Sequence, residues 1–468
     1  MTRATNLIAT AHELVSIKVL APLHQLQHLA RPSCRADTLA FQEGMRFRSE
    51  AARWHDDQKR QWILRRLRYS VRRAYNETAY YRELFVRIGF DPWANFGFEE
   101  FARLPVLERE DVRQADKALV SASVPQAQLR HFATGGSTGK PTEVWLGPEE
   151  RGWRESGRQY YLNRIGVPKG SRIGLLWGHH LDPVASDRLL DRLRDFTFNI
   201  RWFDCFRLSP TKLAQYHKEL QSWQPRCVLA YASALGALAE EVQNRGWRPS
   251  YPTQCFVTGA EKLMPHHRSI VESVFARPVH EQYGSRDVAL MGFQVDPEHT
   301  LAYQIDWANV LIEPETNSAD SPILVTKLHA DGMPMLRYRI GDIGRFPQGS
   351  RSGHPTFILH EVVGREADRI WLHDGRWIHG IEFRHTMKDY AVAEFQVTQS
   401  ADFSVVVRIV PRNGFTEGSR ESILQILGAN LAGLNVSLQL VDAIQRTASS
   451  KWRPVTSEVD GRRLKVKR

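Results

Sequence analysis

From Arg172 to Tyr283 the chain alternates short apolar runs with stretches of helical length, and this rhythm restricts the fold more than any other feature. Arg172–Trp177, Cys227–Tyr231, Gln254–Thr258 and Val279–Tyr283 read as strands. Ser209–Trp223, Ala234–Arg245 and Pro265–Phe275 read as helices. Strands and helices alternating at this spacing build a parallel sheet with helices on its faces. In open sheets of this kind ligands sit beyond the carboxyl ends of the strands. Three loops leave those ends: Ala232-Ser233, Gly259-Ala260-Glu261 and Gly284-Ser285-Arg286-Asp287.

Residues 40–125 read as helical: Phe41–Tyr75, then shorter pieces around Tyr80–Ile88 and Phe98–Ala102. Leu104-Pro105-Val106-Leu107 is expected to be extended, because a residue before proline avoids the helical region. Thr142–Leu146 alternates like a strand. Pro148-Glu149-Glu150 then opens a helix with its proline and acids at the end that suits them. Val310–Ile312, Ile323–Lys327 and Thr356–Leu359 add strands. After Gly364 the character changes: Glu394–Thr398, Phe403–Ile409 and Val436–Leu440 read as strands around a helix over Arg420–Leu431. The expected class is therefore α/β. A large N-terminal domain over 1–363, with parallel-rich sheets flanked by helices and a helical opening over 1–125, precedes a small mobile C-terminal α+β domain over 364–468. The hinge is placed at Gly364–Asp368.

The chain's 468 residues are enough for two or three domains. Its four cysteines, Cys34, Cys205, Cys227 and Cys255, are scattered without a CxxC pair, so neither a zinc ribbon nor a disulfide framework is suggested. A reducing, cytoplasmic setting fits that usage. Residues Thr5–Leu29 are moderately apolar, but Glu13, Lys18 and three histidines interrupt them. They read as an amphipathic helix packed on the body, with peripheral membrane contact as the alternative. A homodimer stays open.

The net charge of +11 raises nucleic-acid binding. Lys59–Arg73 holds seven Lys/Arg and no acid, yet Ile63, Leu67 and Val71 recur every four residues through it. That single apolar stripe favours a core-packed helix over a nucleic-acid arm, and no specific nucleic-acid partner is expected. His179-His180 and His266-His267 have no companions at ligand spacing and are expected to be solvated or capping residues.

The run Thr134-Gly135-Gly136-Ser137-Thr138-Gly139-Lys140-Pro141 carries the clearest chemistry. Glycines let backbone approach a ligand closely, and successive N–H groups in such a loop form a nest for anions. Hydroxyls at Thr134, Ser137 and Thr138 and the Lys140 cation suit phosphate. It is not a Walker A loop, because Thr134 stands where that pattern needs its first glycine and Pro141 follows the lysine.

Three more stretches follow: Tyr283-Gly284-Ser285-Arg286-Asp287, Tyr338-Arg339-Ile340-Gly341-Asp342, and Gly364-Arg365-Glu366-Ala367-Asp368-Arg369-Ile370. In order and spacing, with the glycine loop first, they resemble the adenylate-forming (AMP-binding) superfamily. The helical opening and Leu104–Leu107 look most like its phenylacetate–CoA ligase and CapK-like branch. The resemblance covers roughly residues 40–460 and implies an ATP- and Mg²⁺-dependent enzyme. It would convert a carboxylic acid and ATP to acyl-AMP and pyrophosphate, then pass the acyl group to an acceptor.

Carried over by that resemblance, the loop from Thr134 to Lys140 would grip the β- and γ-phosphates. Gly259, Ala260, Glu261, Gly284, Ser285 and Arg286 would line the nucleotide. Tyr283 would stack on adenine, Asp287 would hold Mg²⁺, and Asp342 would bind the ribose hydroxyls. Arg365 would sit beside ribose and phosphate, and Lys451 would be the adenylating lysine. Trp177, Tyr231 and Ala232 are candidates for the acid pocket; aromatics beside small residues suit an aryl or flat acid. CoA thiol is the favoured acceptor, with an amine as the alternative.

Some positions depart from the pattern. Arg286 stands where the family usually has Ser or Thr, Asp287 where it has Glu, and Ser450 where it has Gly. Some relatives carry a Cys/His zinc cluster after the tyrosine motif. Gly292–Tyr303 holds only His299, so no structural zinc is expected. These departures motivate a second reading, an interaction protein that keeps the fold without turnover.

Overall fold

The structure, a computed structural model, describes residues 13–20, 32–134, 142–178, 199–205, 208–366, 368–374, 376–387, 389–431, 433–444 and 454–459. It divides into two compact units, Met1–Ile340 with Gly344–Val362, and Gly341–Ile343 with Val363–Arg468.

The first unit opens with helices. Where Phe41–Tyr75 reads as one helix in the sequence, there are two, Pro32–Ala51 and Asp56–Glu77. The break has a local cause. Gln58 Oε1 accepts a hydrogen bond from His55 N at 3.0 Å. Asp56 and Asp57 occupy the first turn of the new helix, where its dipole favours negative charge.

The basic stretch of the second helix packs on the body, as its apolar stripe implies. Ile63, Leu67 and Val71 are fully buried. Its arginines serve tertiary contacts: Arg66 Nε donates to Leu328 O at 2.8 Å, Arg68 Nε donates to Phe96 O at 2.8 Å, and Arg73 bridges Glu77 at 3.0 Å and Glu149 at 2.7 Å. Arg66 also pairs with Glu149. Glu13, in the described part of the N-terminal stretch, is buried against Arg172 with Oε2 accepting from Nε at 2.9 Å. Among the described residues no helix is long and apolar enough to cross a membrane.

The Glu149 contacts predict an acid limb in stability. Burial pushes its carboxyl up, but His329, Arg66 and Arg73 outweigh that and bring it down to about 2 from an ordinary 4.5. A depressed acid stabilises the fold above its unfolded pKa and loses that contribution as pH falls toward the folded one. Urea unfolding of the wild type should therefore lose on the order of 2 kcal/mol between pH 5 and pH 2.5 through this residue. Glu149→Gln should lack that component; an identical acid limb in both proteins would contradict it.

Twenty strands follow in chain order among the described residues. The first ten are β1 (Arg130–Thr134), β2 (Thr142–Leu146), β3 (Ile173–Trp177), β4 (Ile200–Asp204), β5 (Cys227–Tyr231), β6 (Cys255–Gly259), β7 (Val279–Ser285), β8 (Ala289–Phe293), β9 (Tyr303–Ile305) and β10 (Val310–Pro314). The rest are β11 (Asp320–Lys327), β12 (Tyr338–Arg345), β13 (Ile358–Leu359), β14 (Glu361–Arg365), β15 (Arg369–Trp371), β16 (Trp377–His379), β17 (Val392–Gln399), β18 (Val405–Pro411), β19 (Val436–Leu440) and β20 (Val455–Ser457).

An eight-stranded sheet runs β13-β9-β8-β7-β6-β5-β3-β4. From β4 to β7 it is parallel; β8, β9 and β13 extend it antiparallel. The fold is α/β, with this parallel-rich sheet carrying helices that include Pro148–Arg164, Pro210–Trp223, Ala232–Asn244 and Pro265–Phe275. β5 and β6 are buried at every position, which is why their apolar runs stand out in the sequence. β4 does not stand out: it is an edge strand with Arg201 and Trp202 exposed, and no apolar run marks it.

A second sheet has the order β10-β11-β12-β14. Leu107, in the extended segment read from the sequence, forms a parallel bridge to Tyr338 of β12. Leu107 N donates to Arg337 O at 3.1 Å, and Arg339 N donates to Leu107 O at 3.0 Å.

The C-terminal unit is α+β. Its sheet runs β19-β18-β17-β20. β17 and β18 are antiparallel, and β20 and β19 pair parallel on either side. Buried Ile423 and Leu427 of helix Glu417–Asn430 join Val397, Val407 and Ile409 in one core.

Candidate active site

Parallel strands fix the site's frame. β3, β5, β6 and β7 end at Trp177, Tyr231, Gly259 and Ser285, so four of the stretches singled out in the sequence leave one edge of one sheet. Trp177 and Tyr231 lie side by side, with ring centroids 4.3 Å apart at 52°. Ala232 opens helix Ala232–Asn244. Glu261 Oε2 accepts from Ser233 N at 3.0 Å, a carboxylate at a helix N-terminus where the dipole favours it. Ala260, between Gly259 and Glu261, has φ 66°, a left-handed conformation that turns the chain sharply as it leaves β6.

The β7–β8 turn is tighter still. A Cβ on Gly284 would lie 2.5 Å from Ala289 O, so only glycine fits there. Ala289 itself has φ 122°, a strained backbone of the kind that collects at functional sites. Tyr283 is buried, its ring 6.1 Å from that of Tyr303 and inclined to it by 62°. Ser285 Oγ accepts from Val288 N at 3.2 Å. Arg286 is exposed, and its carbonyl accepts from Arg154 Nη2 at 2.9 Å.

Asp287 is the buried centre of this turn, 4% exposed. Tyr338 donates its hydroxyl to Oδ2 at 3.0 Å, and Arg109 Nη2 approaches the same oxygen at 3.4 Å. Oδ1 has no hydrogen-bond partner among the described residues. Burial, with the Asp287 charge, pushes the Tyr338 hydroxyl up, so its proton stays on Tyr338 and is donated. Lys327 and Arg154 add positive charge nearby. Lys327 is paired with Glu150 at 2.8 Å, and burial lowers its pKa while Glu150 and Asp287 hold its charge. Tyr338 opens one of the stretches singled out in the sequence but was given no role there; Arg109, Arg154 and Lys327 were not singled out. The one signal available was Arg109 following the extended Leu104–Leu107 segment.

The geometry fits Mg²⁺ in one form. Among the described residues no three His, Cys, Asp or Glu side chains are grouped to hold a metal. Mg²⁺ held at Asp287 would take this one carboxylate, with the remaining ligands from phosphate and water, as Mg²⁺ sites on nucleotides are built. His299, the sole candidate in Gly292–Tyr303, is exposed and pairs with Asp296 at 2.9 Å.

In the C-terminal unit Asp342 and Arg365 come together: Arg365 Nε lies 3.1 Å from Asp342 Oδ1, with Asp342 buried and Arg365 half exposed. Glu366 N donates to Gly341 O at 2.8 Å, and Gly341 has φ 82°. Thr134 ends β1 and pairs in register with Thr142. Gly135, Gly136, Ser137, Thr138, Gly139, Lys140 and Lys451 lie outside the described residues.

Comparison with known proteins points the same way as the motifs. Residues 370–458 match the family described as the CapK C-terminal domain. A phenylacetate-coenzyme A ligase of Pseudomonas putida is 24% identical over 330 residues, 67% of this chain and 72% of the relative. Protein CapK of Staphylococcus aureus is 20% identical over 361 residues, 75% of this chain and 79% of the relative. Among solved structures, 2-hydroxyisobutyryl-CoA ligase in its postadenylation state with R3-HIB-AMP superposes with TM-score 0.66 at 17% identity, over 86% of this chain and 90% of that one. The chain is similar to phenylacetate–CoA ligases and to CapK, and it has the fold of the adenylate-forming ligases. The structural likeness is one of fold. In this fold Tyr283 lies near the end of β7 and Asp287 just beyond it, and Asp342 lies on β12 four residues after Tyr338, the residue that fixes Asp287.

Proposed function

We propose that the protein is an ATP-dependent, AMP-forming ligase. It activates a carboxylic acid, aryl or similarly flat, and transfers the acyl group to a thiol acceptor, CoA. Asp287 carries this reading: a buried carboxylate fixed through one oxygen and open at the other, in a fold whose matched relatives include ligases named for CoA.

In the first step a carboxylate oxygen attacks the α-phosphorus of ATP, and the bond to the β-phosphate oxygen breaks to release pyrophosphate. In the second the acceptor sulfur attacks the acyl carbon, and AMP leaves. Negative charge builds on phosphoryl oxygens in the first step, and fixed cations answer it. Lys140 in the glycine loop and Lys451 are the residues assigned that work. Mg²⁺ held at Asp287 would neutralise the departing pyrophosphate. Asp342 would accept hydrogen bonds from the ribose hydroxyls and Arg365 would lie beside them. The tilted Trp177–Tyr231 pair would receive the flat face of the acid.

ATP–pyrophosphate exchange with a panel of aryl and short aliphatic acids tests the reading. Exchange should appear with a subset of acids and fall by about 10²-fold in Asp287→Asn. Tight ATP binding with no acid-dependent exchange would instead favour an interaction protein.

A further inference from the structure

Gln282 stands in one row with Trp177, Tyr231 and Gly259. β5 and β6 pair with Tyr231 opposite Gly259, and β6 and β7 pair with Thr258 opposite Glu281. Gly259 and Gln282, one step further on, are therefore neighbours, and Trp177 and Tyr231 are in ring contact. Residues level on parallel strands project to the same face, and successive residues to opposite faces. Glu281 and Tyr283 accordingly turn the other way and meet Tyr303 there. The glycine decides where the Gln282 side chain goes. A Cβ on Gly259 would lie 2.8 Å from Gln282 Nε2 and 2.9 Å from its Cγ. The side chain thus lies across the glycine, toward Tyr231. Gln282 is half-buried, and among the described residues its amide has no hydrogen-bond partner.

We propose that Gln282 selects the acid, and that the acid is an aryl acid carrying a hydroxyl group on its ring. The Trp177–Tyr231 pair offers the ring a face, where aromatic contacts are favourable. The Gln282 amide offers its edge a donor and an acceptor, whichever way the amide is turned. A hydroxyl satisfies both, accepting from Nε2 and donating to Oε1. The amide is neutral and has no charge with which to answer a charged substituent. A plain hydrocarbon ring would bury the amide without a partner, which is costly. The proposal rests on the ligase reading above and on Trp177 and Tyr231 receiving the acid.

The test is calorimetric titration of the full-length protein with acyl-sulfamoyl adenosines, unreactive mimics of acyl-AMP. They are made from benzoic and phenylacetic acids and from the ortho-, meta- and para-hydroxy forms of each. At least one hydroxylated mimic should bind about 10-fold more tightly than its parent. Gln282→Leu and Gln282→Met keep the bulk and remove the amide, and either should bring that ratio to within about twofold of one. Gly259→Ala should narrow it as well, because the added Cβ takes the space the amide occupies. Each ratio is internal to one protein, so one amide-free variant recovered folded is enough. Equal binding of parent and hydroxylated mimics by wild type, or a preference that survives loss of the amide, overturns the role of Gln282. A protein that binds none of the mimics contradicts the ligase reading itself. No turnover is needed, so the two failures are told apart.

Discussion

Lys451→Ala should all but abolish acyl-AMP formation while leaving transfer from supplied acyl-AMP to its acceptor near the wild-type rate. The asymmetry follows from the chemistry. Only the first step builds charge on a phosphoryl group and a departing pyrophosphate, and a point cation there matters by a few kcal/mol, a rate factor of about 10²–10³. The second step releases AMP from an acyl carbon and has no such demand. A lysine suits a charge needed in one step and not the next, because its ammonium is compact and carried on a flexible stem. Single-turnover assays with ATP and acid, and separately with synthetic acyl-AMP and thiol, measure the two steps. Equal loss in both would remove Lys451 from the adenylation step and leave it a structural or binding residue.

Arg337→Met should destabilise the first unit by about 3–5 kcal/mol. The Arg337 guanidinium is buried. It donates to Glu313 at 3.1 Å and 3.3 Å and to Ser352 at 2.8 Å, and its Nη1 reaches the carbonyls of Ala102 and Leu104. Glu313 is fully buried too, so removing its partner leaves an uncompensated carboxylate. Burial already raises the Glu313 carboxyl against the pull of Arg337. Without Arg337 it should rise further, and the variant's defect should grow as pH increases, because a raised acid loses stability on ionisation. Arg337 also has φ 52°, and it immediately precedes Tyr338. The strained backbone is thus held by the same buried contacts that aim the Tyr338 hydroxyl at Asp287. Chemical denaturation at pH 6 and pH 8 measures the effect. A loss below about 1 kcal/mol with no pH dependence would contradict this account of the ion pair.

β5 and β6 were legible in the sequence because fully buried parallel strands are continuous apolar runs, and β3 is a short apolar run as well. Trp177, Tyr231 and Gly259 lie at strand ends as the sequence implies, whereas β7 continues two residues past Tyr283 to Ser285, so Gly284 and Ser285, read as loop, belong to the strand. Elements with one wet face were less visible. β4 exposes Arg201 and Trp202, and helices Pro32–Ala51 and Asp56–Glu77 were read as one because their break depends on a local cap at His55 and Gln58. The environment of Asp287 was not legible. Its partners Arg109 and Tyr338 stand 178 and 51 positions away, and no periodicity links them. Their meeting depends on the Leu107–Tyr338 bridge, a tertiary pairing of a short extended segment with β12. The ion pair between Asp342 and Arg365 was hidden for the same reason, although each residue lies in its own short motif.

Activation of a carboxylic acid at the expense of the α–β phosphate bond is the central claim. Its most direct test is mass-spectrometric analysis of full-length protein incubated with ATP, Mg²⁺, a mixed acid library and CoA, with parallel reactions containing amines. The expected result is AMP, pyrophosphate and one dominant acyl-CoA, with acyl-AMP accumulating when CoA is left out. ATP recovered intact with every acid, or hydrolysed to ADP, would contradict it.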